Sequence, residues 1–217
     1  MKNLETPARK LALYGATGSV GSALLVEALS RQYETTAILS DLNAIQSRPG
    51  IRAKRGDLFD PISVSQSVAG MDAVICVLSS THLSAGNTEA DTHTFSQLFK
   101  AVNALLEGLT LAEVRRLLLI GDFAWMEDDA LSDTPAQHLQ DRLTESPIVW
   151  TLVDAPSVGD DAVNFEQLAA ASGVKAPSPL IAELQRFAAG ALDELELNLH
   201  VHCRLQLIDQ QRTAPKP

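Results

Sequence analysis

Leu11-Ala12-Leu13-Tyr14 runs directly into Gly15-Ala16-Thr17-Gly18-Ser19-Val20-Gly21, and this stretch restricts the fold more than any other. Four apolar residues in a row suit a strand covered on both faces, as in a parallel sheet. Glycines follow at 15, 18 and 21. Gly15 can turn tightly out of the strand. Gly18 can let the backbone approach a pyrophosphate, and Gly21 can let helix and strand pack closely. Val20, Leu24, Leu25, Ala28 and Leu29 then form one face at helical spacing. A helix starting here offers unpaired N–H groups and a partial positive charge, which favour a phosphate. The alternative is a tight strand–helix turn that binds nothing.

The same alternation continues along the chain. Thr35 to Leu39 is rich in β-branched residues and reads as a second strand. Ser40-Asp41-Leu42-Asn43 turns into a short helix that Pro49-Gly50 ends. Ile51 to Arg55 is a third strand. Asp60 is a plausible N-cap, with Pro61 at the first helical position. Asp72 to Leu78 is continuous and apolar, so it reads as a central strand. A long helix runs to about Glu107, with Gly108 as its expected C-cap. Arg116 to Ile120 and Ile148 to Val153 are further strands, separated by an acidic loop and a helix over 136–145. Helix 180–196 follows Pro177 and Pro179. Val201 to Ile208 alternates apolar and polar residues, which predicts a late edge strand.

Strands alternating with helices predict an open α/β sheet with helices on both faces. Ligands of such sheets lie beyond the C-terminal ends of the strands, at the switch point. The 217 residues suit one domain, 1–217, with a dinucleotide-binding core over 10–155 and a small C-terminal part over 156–209. A formal net charge of −10 argues against nucleic acid or an anionic membrane as partner. Cys76 and Cys203 lie far apart in apolar runs and read as buried thiols in a reducing compartment. The N-terminal apolar run is too short for a signal peptide or a membrane span, so a cytoplasmic protein is expected.

The glycine turn, Gly56-Asp57-Leu58 and Asp72-Ala73-Val74-Ile75 occur in an order that resembles the atypical short-chain dehydrogenase/reductase family. Within it the chain is most similar to the NAD(P)H-binding, NADH–flavin reductase type, with biliverdin reductase B and the NmrA-like proteins as relatives. The resemblance covers residues 10–209. It continues in Val114 to Gly121, in Asp154 to Asp160, and in Ile181-Ala182-Glu183-Leu184 with Leu192-Asp193-Glu194-Leu195. It implies a Rossmann-type, doubly wound, mostly parallel sheet. It also implies that Gly15, Thr17, Gly18, Ser19, Val20 and Gly21 surround the pyrophosphate. Asp57 and Leu58 would lie at the adenine, and Leu78, Ser79 and Ser80 would flank the ribose and nicotinamide. Asp57 could instead be a turn carboxylate, and Ser79 and Ser80 a solvated loop.

Two departures from the family matter. Relatives that use NADP often carry Arg just after the second strand, where this chain has Ser40 and then Asp41. A guanidinium pairs with a 2′-phosphate; a carboxylate repels it and can accept from a free ribose hydroxyl. NAD(H) is therefore favoured over NADP(H), unless Asp41 only caps the short helix. Secondly, many short-chain reductases use a Tyr-x-x-x-Lys pair beyond strand five. Here the only tyrosines are Tyr14 and Tyr33. Ketone reduction by a tyrosine acid is not expected. Hydride transfer to a flavin such as FMN remains, because the cofactor carries that chemistry.

Other candidates lie after the fifth and sixth strands. Asp122 could orient a substrate, and His138 could act as an acid. Phe123 and Trp125 could stack on a flat acceptor, beside Pro156. Each also has a plain structural reading as loop packing or surface. His200-x-His202 would share one strand face, but nothing nearby completes a metal site, so no metal is expected. Three functions compete: a reductase of a flavin-like small molecule, a non-catalytic NmrA-like dinucleotide sensor with a protein partner, and a fold that binds no dinucleotide. The sequence leaves homo-oligomerisation open.

Overall fold

The computed structural model describes residues 9–46, 48–78, 90–123, 135–156, 158, 163–174 and 177–207. Their seven strands form one parallel sheet: β1 (Lys10–Tyr14), β2 (Glu34–Leu39), β3 (Ile51–Arg55), β4 (Ala73–Val77), β5 (Arg116–Gly121), β6 (Val149–Asp154) and β7 (Arg204–Leu205). The spatial order is β3-β2-β1-β4-β5-β6-β7. The order reverses between β1 and β4, which places a crevice at their C-terminal ends.

The helices are α1 (Ser19–Ser30), α2 (Pro61–Val68), α3 (Ala90–Leu111), α4 (Pro135–Glu145), α5 (Phe165–Ala171) and α6 (Pro179–Leu197), with a 3-10 turn at Leu42–Ala44. They cover the two faces of the sheet separately. Leu11, Leu13, Ile75, Val77, Leu118 and Ile120 point to a core closed by α1, α5 and α6. Ala12, Tyr14, Val74, Cys76, Leu117 and Leu119 point to a second core closed by α2, α3 and α4. Alternate residues of one strand thus enter opposite cores, which is why the central strands read as unbroken apolar runs. The fold is the open α/β sheet that the sequence pattern predicts, in the doubly wound Rossmann form that the family resemblance implies.

Local signals act where expected. The Asp60 carboxylate accepts from the N–H groups of Ile62 and Ser63 at 3.1 and 3.2 Å, and Pro61 opens α2. The sequence reading missed α5, although its capping box was legible. Asn164 accepts from Gln167 N, and the Gln167 side chain accepts from Asn164 N.

Three expectations need correction. Gly108 does not end α3 but lies buried within it, where α2 crosses. A Cβ there would sit 2.5 Å from Val64 and 2.8 Å from the Pro61 carbonyl oxygen. The glycine serves helix–helix approach, and Glu113 takes the left-handed position at the helix end with φ 59°. The late edge strand shrinks to Arg204–Leu205. His202 has φ 58°, which interrupts an extended run. The third correction concerns the histidine pair, whose side chains do not share a face. His200 Nδ1 lies 2.8 Å from Glu194 Oε2, while His202 Nε2 lies 3.1 Å from the Ile148 carbonyl oxygen.

Candidate functional site

Gly15 has φ 76°, and a Cβ there would meet the Val77 carbonyl oxygen at 2.7 Å. Only glycine passes this close to β4 while turning out of β1. At Gly21 a Cβ would overlap the Gly15 carbonyl oxygen, so α1 rests directly on the turn. Gly18 differs from both. It is the N-cap of α1, exposed, with φ −74°, and its nearest neighbour to a Cβ would be 3.9 Å away. Nothing inside the protein requires a glycine at 18. The space in front of it is open, where the N–H groups of the first helical turn face outward.

Beside this turn lies a cleft of about 680 Å³. Tyr14, Gly15 and Thr17 form its wall at β1, and Val77 closes it from β4. Ser40 and Asp41 enter from the end of β2. Arg55, Asp57, Leu58 and Phe59 enter from the end of β3. The C-terminal ends of four neighbouring strands therefore converge on one opening, as the order β3-β2-β1-β4 requires.

Several expected residues hold local structure as well as a place near the cleft. Asp41 Oδ1 accepts from Asn43 N at 3.0 Å and from Asn43 Nδ2 at 3.1 Å, so it caps the 3-10 turn. Asp57 Oδ1 accepts from Phe59 N at 2.9 Å, a turn carboxylate at the cleft edge. Ser19 Oγ accepts from Val163 N at 2.9 Å, which ties the glycine turn to the segment entering α5. The Val20 side chain is buried in the first core, so only its backbone N–H can face a phosphate.

The acceptor side is less fully assembled. Leu78 is buried at the end of β4, its N–H donating to the Ile120 carbonyl at 2.7 Å. Asp122 is exposed just past β5, and Pro156 is buried just past β6. Phe123 corrects the expectation of a stacking cover. Its ring is 2% exposed and belongs to the second core. Drawing it out would forfeit about 2–3 kcal/mol of burial. His138 faces solvent on α4, next to the buried Leu139. Ser79, Ser80 and Trp125 lie outside the described residues. Among the described residues no group of three His, Cys, Asp or Glu side chains could hold a metal.

Neither tyrosine is placed as a proton donor. Tyr33 donates to Glu196 Oε1 at 2.9 Å, on the far face of the sheet. Tyr14 does reach the cleft wall, but its phenol lies 2.7 Å from Ser67 Oγ in a buried pair. Burial pushes its pKa well up, with Cys76 and Asp57 adding to the rise and the Ser67 bond opposing it. Burial alone pushes the Cys76 thiol up as well. An unfolded tyrosine loses its proton near about pH 10, while the folded one keeps it. The stability this represents is complete below about pH 10 and is lost as pH rises through the folded value. Tyr14→Phe should cost about 1 kcal/mol at neutral pH and flatten the alkaline decline of the urea midpoint. An unchanged decline would mean that water reaches the phenol.

A family model described as NAD(P)H-binding matches residues 15–175. The chain belongs to this NAD(P)H-binding family. The match begins at the glycine turn, just past β1, and runs through β6, taking in β2, β3 and β4 beside the cleft. Solved structures similar to this NAD(P)H-binding chain share its fold at low identity. One is a Rossmann-fold NAD(P)-binding family protein from Shigella flexneri, with TM-score 0.62, 13% identity, and 96% of this chain and 98% of that one covered. Another is an oxidoreductase from Lactococcus lactis, with TM-score 0.61, 15% identity, and coverage of 91% and 89%. A third is a nucleoside-diphosphate-sugar epimerase from Staphylococcus aureus, with TM-score 0.61, 15% identity, and coverage of 91% and 70%. Among the described residues no helix is long and apolar enough to cross a membrane.

Proposed function

We propose that the chain is an NAD(P)H-dependent oxidoreductase of the atypical short-chain type that passes hydride to a flavin or a similar flat, conjugated small molecule. The observation that carries this reading is Gly18. It is open, unstrained and set at the N-terminus of α1 beside the cleft, where a pyrophosphate needs close approach. The positions of Tyr14 and Tyr33 speak against reduction of a simple ketone, which needs a positioned acid. A flavin ring takes hydride directly from the nicotinamide, and solvent supplies much of the proton traffic. The protein's part is to hold the two rings together. Asp122 and Pro156, at the ends of β5 and β6, would border the acceptor, and Trp125 would be its aromatic cover.

Asp41 supports a preference for NADH over NADPH, since its carboxylate at the cleft edge accepts from a ribose diol and repels a 2′-phosphate. The buried Cys76 suits a reducing, cytoplasmic setting. The NmrA-like sensor is the second reading, favoured by the lack of a tyrosine acid at the cleft.

The test begins with thermal shift and calorimetric titration of NADH and NADPH. NADH should stabilise the protein more, because a ligand bound only by the folded form raises stability with its affinity. Gly18→Val should weaken NADH binding at least about tenfold, or roughly 1.4 kcal/mol, while the fold survives with no more than the loss of a weak cap. NADH oxidation should proceed with FMN and not with simple ketones. A Gly18→Val variant that binds like the parent removes the site. Ketone turnover that His138→Ala abolishes would make His138 the acid. Tight NADH binding with no turnover on any acceptor would leave the sensor.

A further inference from the structure

We propose that Arg55 decides how far the cleft accepts a dinucleotide phosphorylated on the ribose 2′ oxygen, acting from β3 against the carboxylate of Asp41. The inference rests on the dinucleotide reading above and concerns a residue which that reading leaves without a role. Arg55 is the last residue of β3 and stands in register with Leu39, the last of β2. Neighbouring strands are separated by about 4.8 Å. The arginine therefore starts one strand away from the residue that leads into Ser40 and Asp41. All three line the same cleft.

The basic residue before it in β3 is otherwise occupied. Lys54 donates to the Gln66 carbonyl oxygen at 2.5 Å, on the opposite face of the strand. The Arg55 guanidinium has no hydrogen bond or ion pair with any described residue. In a chain with net charge −10, this exposed cation lines the same cleft as Asp41 and Asp57 without pairing with either. Those carboxylates are held by Asn43 and by Phe59 N, not by the arginine.

The chemistry separates the two cofactors. A ribose diol offers O–H donors, which suit Asp41 and gain little from a cation. A 2′-phosphate is repelled by Asp41 and Asp57 but offers paired oxygens to a guanidinium fork. Charge-assisted bidentate pairs of that kind are stronger and more directional than a single exposed charge contact. The cleft is open, so a water-like dielectric weakens the repulsion from charges that do not touch the phosphate. The direct pair with Arg55 then outweighs the repulsion enough for NADPH to bind, while NADH stays ahead. This places the specificity cation on β3, not at the exit of β2 where sequence comparison looks for it.

The test is isothermal titration of the parent, Arg55→Gln and Arg55→Lys with adenosine 2′,5′-bisphosphate, with adenosine 5′-monophosphate and with NADH. The parent should bind both adenosine probes, the monophosphate more tightly than the bisphosphate. Arg55→Gln should weaken the bisphosphate at least about tenfold, with the monophosphate and NADH changing less than about twofold. Arg55→Lys should recover part of the loss, as a point charge without the fork. Equal weakening of both adenosine probes would place Arg55 on the shared part of the ligand and overturn the proposal. So would a parent that binds the monophosphate and rejects the bisphosphate, or an Arg55→Gln variant indistinguishable from the parent. A parent that binds neither NADH nor either probe would remove the dinucleotide reading itself. NADH binding without a selective Arg55 effect would remove only the role of Arg55.

Discussion

Gly21→Ala is expected to cost about 3 kcal/mol of folding stability, the upper part of the usual range for forcing extra volume into a packed site. The added Cβ would overlap the Gly15 carbonyl oxygen and lie 2.8 Å from Ala16 Cα, and both are backbone atoms. Backbone cannot rotate aside as a side-chain end can, so α1 must lift from β1. Alanine's better helix propensity returns at most about 1 kcal/mol and does not offset this. The control is Gly18→Ala, three residues away. Its φ of −74° suits alanine and no atom lies within 3.9 Å of the new carbon. It should stay within about 1 kcal/mol of the parent, a change no larger than the loss of a weak cap. Urea unfolding of the two variants side by side gives the comparison. Equal stabilities would mean that α1 slides without penalty.

Glu194→Ala is expected to cost about 3–5 kcal/mol, the range for removing one partner of a buried ion pair. Glu194 Oε1 lies 3.2 Å from Arg116 Nη2 and accepts from His200 N at 3.0 Å, and Oε2 faces His200 Nδ1 at 2.8 Å. The Arg116 and Glu194 side chains are 9% and 3% exposed. Burial presses Arg116 towards its neutral form, and Glu194 counters it. Without the carboxylate the guanidinium is left charged and enclosed, with only Thr151 and backbone carbonyls nearby. The turn that carries Arg204 to β6 would loosen too, because His200 loses both its tethers to α6. The double variant Arg116→Met, Glu194→Leu should recover most of the loss, since it removes both charges together. Urea midpoints decide the matter. A cost below about 1 kcal/mol would show that Arg116 finds water, as an exposed pair would.

The front half of the candidate site is legible in the sequence because its signals are local. Gly15 must turn within one residue of β1, and the Asp60-Pro61 cap acts over two or three residues. Such contacts are fixed by near neighbours along the chain, so residue type and spacing carry them. Gly108 misled because its reason lies elsewhere: Val64 and the Pro61 carbonyl, more than forty positions back, occupy the space where a Cβ would go. Phe123 misled for the same kind of reason. An aromatic in a loop after a strand reads equally as cover or as core, and only the packed second core shows which.

Sequence alone determined the parallel α/β sheet, the succession of its seven strands along the chain and the glycine turn at the end of the first strand. Strand alternation, helical periodicity and caps are short-range, and a buried central strand must be apolar on both faces. Tertiary structure alone decided which charged side chains meet. It brought Arg55 beside the residues leaving β2, closed Arg116 over Glu194 from 78 positions away, and turned Phe123 inward. Those outcomes depend on strand register and helix packing, and the spacing of residues along the chain does not encode the distance between side chains on different elements.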